Sequence, residues 1–180
     1  MTPTRRIVRM AAAGALMAIA TLAQSLENPG FESGDLSGWE TFGLGWRIGA
    51  GEDAASGSHG AVCDVLHEHE GETWRGITQT VPVVPGRTYS ASVDIRTVNI
   101  RASSSFLELQ WLDAAEGVIA QLQSPWVTID QPFTPAALSA VSAPPGAVAA
   151  SVRGIVFAER LPEPDQPEFH IFDQFRFWRQ

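Results

Sequence analysis

From residue 24 onward, apolar and polar side chains alternate in short runs, and no stretch repeats apolar positions at the three-to-four spacing of a helix. The alternation is clearest over residues 88–98, 105–112, 148–157 and 169–178. Weaker runs fall at 38–42, 46–49, 60–66, 73–81, 118–123 and 137–141. Turn chemistry separates them: Pro85-Gly86 suits a type II turn, Pro144-Pro145-Gly146 makes a second corner, and 113–117 reads as a hairpin connection. Residues 161–167 hold three prolines and read as an exposed loop. About ten strands without a helix predict an all-β fold, a two-sheet antiparallel β-sandwich or jelly roll.

Alternation also sorts the strands into faces. Tyr89, Ala91, Val93 and Ile95 belong to the core, with Asp94 and Arg96 pointing away. Leu107, Leu109 and Trp111 oppose Phe106, Glu108 and Gln110, and Val152 and Val156 oppose Arg153 and Phe157. If these strands share one sheet, its outer face carries Asp94, Arg96, Glu108, Gln110 and Arg153, planar groups that suit sugar hydroxyls. An ordinary solvated face shows the same alternation.

The first residues have a different character. Arg5, Arg6 and Arg9 precede an apolar run over 10–20, and small residues follow at Thr21 and Ala23, the pattern of a secretory signal peptide over residues 1–23. Cleavage is expected after Ala23, with Ala20 as the alternative. That leaves 24–180 as a single domain. The run is shorter than the roughly 20 residues that span a bilayer, so membrane insertion is not expected and the mature protein is expected to be secreted, extracellular or periplasmic. The formal charge of -8 falls to -11 without the leader, a surface that repels phosphate backbones and anionic lipid and argues against nucleic-acid binding. All basic residues are arginine, and the Ala- and Arg-rich composition fits a GC-rich bacterial genome. Cys63, the single cysteine, permits no intrachain disulfide and reads as a buried small hydrophobe.

Several short motifs occur in a telling order. Asn28-Pro-Gly-Phe-Glu-Ser-Gly34 leads to Leu36-Ser-Gly-Trp39. Then come Ala55-Ser-Gly-Ser-His-Gly-Ala61, Ile77-Thr-Gln-Thr-Val81, Pro85-Gly-Arg-Thr-Tyr89, Trp111-Leu-Asp113, Ala143-Pro-Pro-Gly146 and Phe172-Asp-Gln-Phe-Arg-Phe177. Together they resemble the carbohydrate-binding modules of families 4, 9, 16 and 22, built on the galactose-binding-like jelly roll, across nearly all of residues 26–178. The resemblance implies binding of a polysaccharide or glycoconjugate without catalysis, by aromatic stacking and hydrogen bonds. Trp74, in Trp74-Arg75-Gly76, resembles a position that supplies a stacking ring, whereas Trp39 and Trp111 read as structural. The resemblance also implies a structural calcium on Glu32 and Asp173, completed near Asn28 and Ser58; calcium takes six to eight oxygens, which carboxylates and carbonyls supply. By alternation, Asp173 shares a face with Ile171, Phe175 and Phe177. Gln174 departs from the family's usual second aspartate.

Other chemistry is thinner. His67-Glu-His-Glu70, with His59 or Glu72, offers cupin-like metal ligands for a metalloenzyme, but the spacing fits poorly and an exposed loop explains it. There is no Gly-x-Ser-x-Gly elbow or phosphate loop. Glu108 with Asp94 is the candidate pair of hydrolytic carboxylates flanking a cleft. An extracellular structural protein that self-associates or binds a protein partner is the alternative to glycan binding.

Overall fold

The computed structural model describes residues 25–71 and 73–180. The proposed leader, its cleavage site and Glu72 lie outside the described residues. Ten strands follow one another: β1 (Glu40–Phe42), β2 (Trp46–Ala50), β3 (His59–Val65), β4 (Trp74–Pro82), β5 (Thr88–Val98), β6 (Ser103–Leu112), β7 (Val118–Gln123), β8 (Gln131–Ser142), β9 (Ala149–Ala158) and β10 (Glu168–Arg179). They form two antiparallel five-stranded sheets, a front sheet ordered β1-β4-β9-β6-β7 and a back sheet ordered β2-β3-β10-β5-β8. Among the described residues the helical content is one 3-10 turn, Gly51–Asp53, and no helix is long and apolar enough to cross a membrane.

Each expected strand is present, and one is longer than its pattern suggested. β8 begins at Gln131 rather than 137 because Pro132 and Pro135 interrupt the alternation without ending the strand. Such prolines are tolerated on an edge, where the missing N–H faces no neighbour. Both expected corners hold: Gly86 has φ 73° and Gly146 has φ 89°, values that glycine reaches without a Cβ penalty.

The inner faces interdigitate as alternation requires. Leu107, Leu109 and Trp111 of the front sheet pack against Tyr89, Val93 and Phe172 of the back sheet in one buried cluster that also holds Cys63. Burial pushes the Cys63 thiol pKa upward, consistent with an inert core residue. The opening motif closes one end of the sandwich. Trp39 lies 4.5 Å from the Phe175 ring and 5.6 Å from Phe31, and its indole N–H donates to the Asn28 carbonyl at 3.0 Å. The Asn28 side chain holds the same loop, donating to the carbonyls of Asp35 and Ser37.

Two face assignments need correction. β5 pairs with β10 and β8 in the back sheet, whereas β6 and β9 pair in the front sheet. Asp94 and Arg96 therefore lie on the face opposite to Glu108, Gln110 and Arg153, and Arg96 instead pairs with Asp53 at 3.4 Å and Glu52 at 3.5 Å. In β10, a register shift between Asp173 and Arg176, with Gln174 at φ 53°, reverses the alternation. Phe175 and Phe177 consequently join the core with Phe172, while Asp173 points out of it.

Candidate functional site

On the outer face of the front sheet, cross-strand pairing sets the outward residues of five strands in rows. Trp74 pairs with Phe157, Gly76 with Ile155, Thr78 with Arg153, Glu108 with both Arg153 and Gln123, and Gln110 with Gln121. The result is a shallow depression of about 300 Å³ that crosses the strands from Phe42 and Trp74 to Gln121 and Gln123. A Cβ at Gly76 would collide with the Phe42 ring, so glycine lets that ring lie flat on the sheet as a wall of the groove.

Glu108 organises its polar half. Its carboxylate accepts from Arg153 Nη1 at 2.5 Å, from Gln110 Nε2 at 3.0 Å and from Gln123 Nε2 at 2.9 Å. Its side chain is 7% exposed and that of Arg153 18%, so the pair is largely shielded, and the Arg153 guanidinium also lies 5.1 Å from the Phe42 ring centre. The charges cancel locally, leaving planar amide and guanidinium groups fixed in orientation toward the groove.

Aromatic rings form the other half. Trp74 is 46% exposed and packs on Phe157 at 4.5 Å. Trp126, 42% exposed, stacks on the buried Phe106 at 4.6 Å and 12°, and stands edge-on to Trp74 at 6.3 Å. Its indole N–H donates to Gln123 Oε1 at 3.1 Å, linking the rings to the polar network. Trp126 also borders a larger depression that extends to Ile129 and Ala137.

Of the residues expected for sugar contact, Trp74, Glu108, Gln110 and Arg153 come together; Asp94 and Arg96 do not. The sequence reading missed Trp126, Phe42, Gln121 and Gln123. The two glutamines were accessible to it, because they alternate with the inward Ala120 and Leu122 of β7. Trp126 was not, since it belongs to a loop held on β6 by the Ser105–Val127 bridge.

The carboxylates expected for calcium, Glu32 and Asp173, converge on one turn. Both Glu32 oxygens accept from the Ser58 N–H at 3.0 Å, and one also accepts from His59 N–H at 3.1 Å. Asp173, fully buried, accepts from the N–H groups of Ala55 at 2.8 Å, Ser56 at 3.1 Å and Gln174 at 2.6 Å. Backbone hydrogen bonds from Ser58 and His59 hold the Glu32 pKa below the usual carboxylate value. For Asp173, burial outweighs its amide donors and raises the pKa. The turn 55–59 is thus clasped by the opening segment and by β10. Each carboxylate oxygen of the clasp accepts at least one amide hydrogen. Asn28 orders its own loop, and Ser58 contributes its N–H. His67 and His69 lie in the loop after β3, His67 Nδ1 sits 3.0 Å from the Pro162 carbonyl, and no group of three metal-ligating side chains occurs among the described residues.

Fold and face together define a ligand-binding β-sandwich module. Residues 23–143 match the model of the carbohydrate binding domain family CBM 4/9, and the chain belongs to that family. It is a carbohydrate-binding module. No curated protein matches the sequence. Among solved structures, the fold is similar to the enzymatically active domain of Bacteriophage CBA120 tailspike protein 4, at TM-score 0.67 and 17% identity, over 88% of this chain but only 22% of that one. It is also similar to TmCBM61, solved with β-1,4-galactotriose, at TM-score 0.63 and 15% identity, over 87% of this chain and 99% of that one. A third is the Stig cyclase Fisc from Fischerella sp. TAU, at TM-score 0.59 and 19% identity, over 88% and 98% of the two chains. Likeness at these identities concerns the fold alone.

Proposed function

We propose that this protein is a secreted module that holds a polysaccharide or glycoconjugate, without covalent change, in the groove on the front sheet. The carrying observation is the juxtaposition of two exposed indoles, Trp74 and Trp126, with the Glu108-centred array of Gln110, Gln123 and Arg153. A pyranose has an apolar C–H face that suits an aromatic ring and equatorial hydroxyls that suit planar donors and acceptors. Glycoside hydrolysis would require two carboxylates flanking the bond. Among the described residues Glu108 is the one carboxylate lining this groove, and it is engaged by three donors, which supports binding without hydrolysis. Secretion rests on the leader-like residues 1–23.

The test is a polysaccharide array that includes β-1,4-galactan, run with the wild-type protein and with Trp74→Ala and Trp126→Ala. Specific binding by wild type is expected, with its loss in Trp74→Ala and weakening in Trp126→Ala while circular dichroism still reports a folded sandwich. A blank array from folded wild type, or undiminished affinity in both variants, would refute the proposal.

A further inference from the structure

We propose that the depression beside β8 is a second sugar subsite, which takes the residues of a neutral glycan chain that run past the front groove and over the β7 edge of the sandwich. It has a volume of about 560 Å³ and lies between the loop 124–130 and the first half of β8, with Trp126, Ile129, Gln131, Thr134 and Ala137 in its lining. This inference rests on the glycan reading of the front groove.

Continuity with the groove selects the occupant. The groove ends at Gln121 and Gln123 of β7, and Gln123 Oε1 accepts the Trp126 indole N–H at 3.1 Å. One face of that indole lies on Phe106, 4.6 Å away and 12° from parallel, and 42% of the residue remains exposed. Trp126 therefore stands where the groove ends and the second depression begins, so a chain that leaves the groove past Gln123 meets it next. The loop that carries it is tied down at both ends. Ser105 and Val127 exchange backbone hydrogen bonds at 3.0 and 2.8 Å, the Leu107 N–H donates to Ser124 Oγ at 3.1 Å, and Thr97 Oγ1 donates to the Ile129 carbonyl at 2.7 Å. Binding here has little left to order.

The lining has the mixed character that a sugar requires. Trp126, Ile129 and Ala137 offer apolar surface to C–H faces, while Thr128 and Thr134 supply hydroxyls and Gln131 a side-chain amide. The one charged residue between 125 and 137 is Asp130, whose carboxylate accepts from the Ile100 N–H at 2.6 Å and does not line the depression. A neutral chain thus meets no charge there, whereas a polyanion finds no cation and is repelled by the net charge of -8. A purely apolar ligand would strip water from the three polar side chains and replace none of its hydrogen bonds.

The experiment uses a trisaccharide and a longer oligosaccharide, both cut from each polysaccharide that the array retains, with wild type and with Ala137→Arg, which fills the depression from outside the groove. The variant should bind the longer oligosaccharide about tenfold more weakly, the scale of one lost sugar contact, and the trisaccharide unchanged. Undiminished affinity for the longer ligand, or equal weakening for both, overturns the second subsite while leaving the groove reading intact. A blank array from folded wild type overturns both. Should Ala137→Arg misfold, amide chemical shifts of the wild type decide: those of 128–137 should move with the longer ligand and not with the trisaccharide. Shifts confined to the front sheet with both ligands overturn the subsite. Shifts of 128–137 that grow with protein concentration in the absence of glycan place a second copy there and overturn it as well.

Discussion

The interior holds a polar chain that predicts how the fold responds to acid. His170 and Glu168 on β10 and Ser103 on β6 are buried, and Ser103 Oγ contacts His170 Nε2 at 2.7 Å as well as the Glu168 carboxylate. The carboxylate accepts, so Ser103 donates its one hydroxyl proton to Glu168 and accepts from His170, whose Nε2 therefore carries the proton of a neutral imidazole. Burial, reinforced by the nearby Arg75 guanidinium, lowers the His170 pKa from 6.5 to about 3. A depressed folded pKa means that the unfolded chain binds the proton first. The stabilising contribution is complete above pH 6.5 and is lost as pH falls toward about 3. At about 1.4 kcal/mol per pH unit, lowering the pH to about 5 should remove about 2 kcal/mol through this one residue. Urea denaturation near pH 7.5 and pH 5, for wild type and His170→Gln, measures it; Gln keeps a donor for Ser103 but does not titrate. The perturbed carboxyls, Glu32 and Asp173, are present in both proteins, so the difference in slope isolates the imidazole. Equal slopes in the two proteins, or a wild-type imidazole proton resonance that titrates near pH 6.5, would refute the reasoning.

The clasp and the groove give further expectations. Asp173→Ala should leave the N–H groups of Ala55, Ser56 and Gln174 without their acceptor and cost about 3 kcal/mol, a fall of about 10 °C in melting temperature. A calcium ion on Glu32 and Asp173, as the family resemblance implies, predicts that a chelator lowers the wild-type melting temperature and that Asp173→Ala abolishes that sensitivity; a wild-type curve unchanged in chelator would exclude it. Glu108→Gln removes the ionic partner of Arg153 and should lower stability by about 1–2 kcal/mol in chemical denaturation. It should also weaken glycan binding, since Gln110 and Gln123 lose their shared anchor. Undiminished affinity would show that the network does not position the groove.

The order of strands was legible because each half-buried strand writes a two-residue period into its own sequence. β8 was only half visible, because Pro132 and Pro135 break that period while an edge tolerates them. Family motifs pointed to Glu32, Asp173 and Trp74, but the amide donors around the two carboxylates emerged only from the fold.

By itself the sequence determined the all-β class, the turns and the side of its strand on which most residues lie, since these depend on neighbours within a few positions. Tertiary structure decided which strands share a sheet, and so separated Asp94 and Arg96 from Glu108 and Arg153. It also reversed the faces beyond Gln174 through one left-handed residue and set a loop tryptophan beside Trp74. Alternation specifies a face but carries no label for the partner strand. That choice is made by hydrogen bonding and packing between segments far apart in the chain.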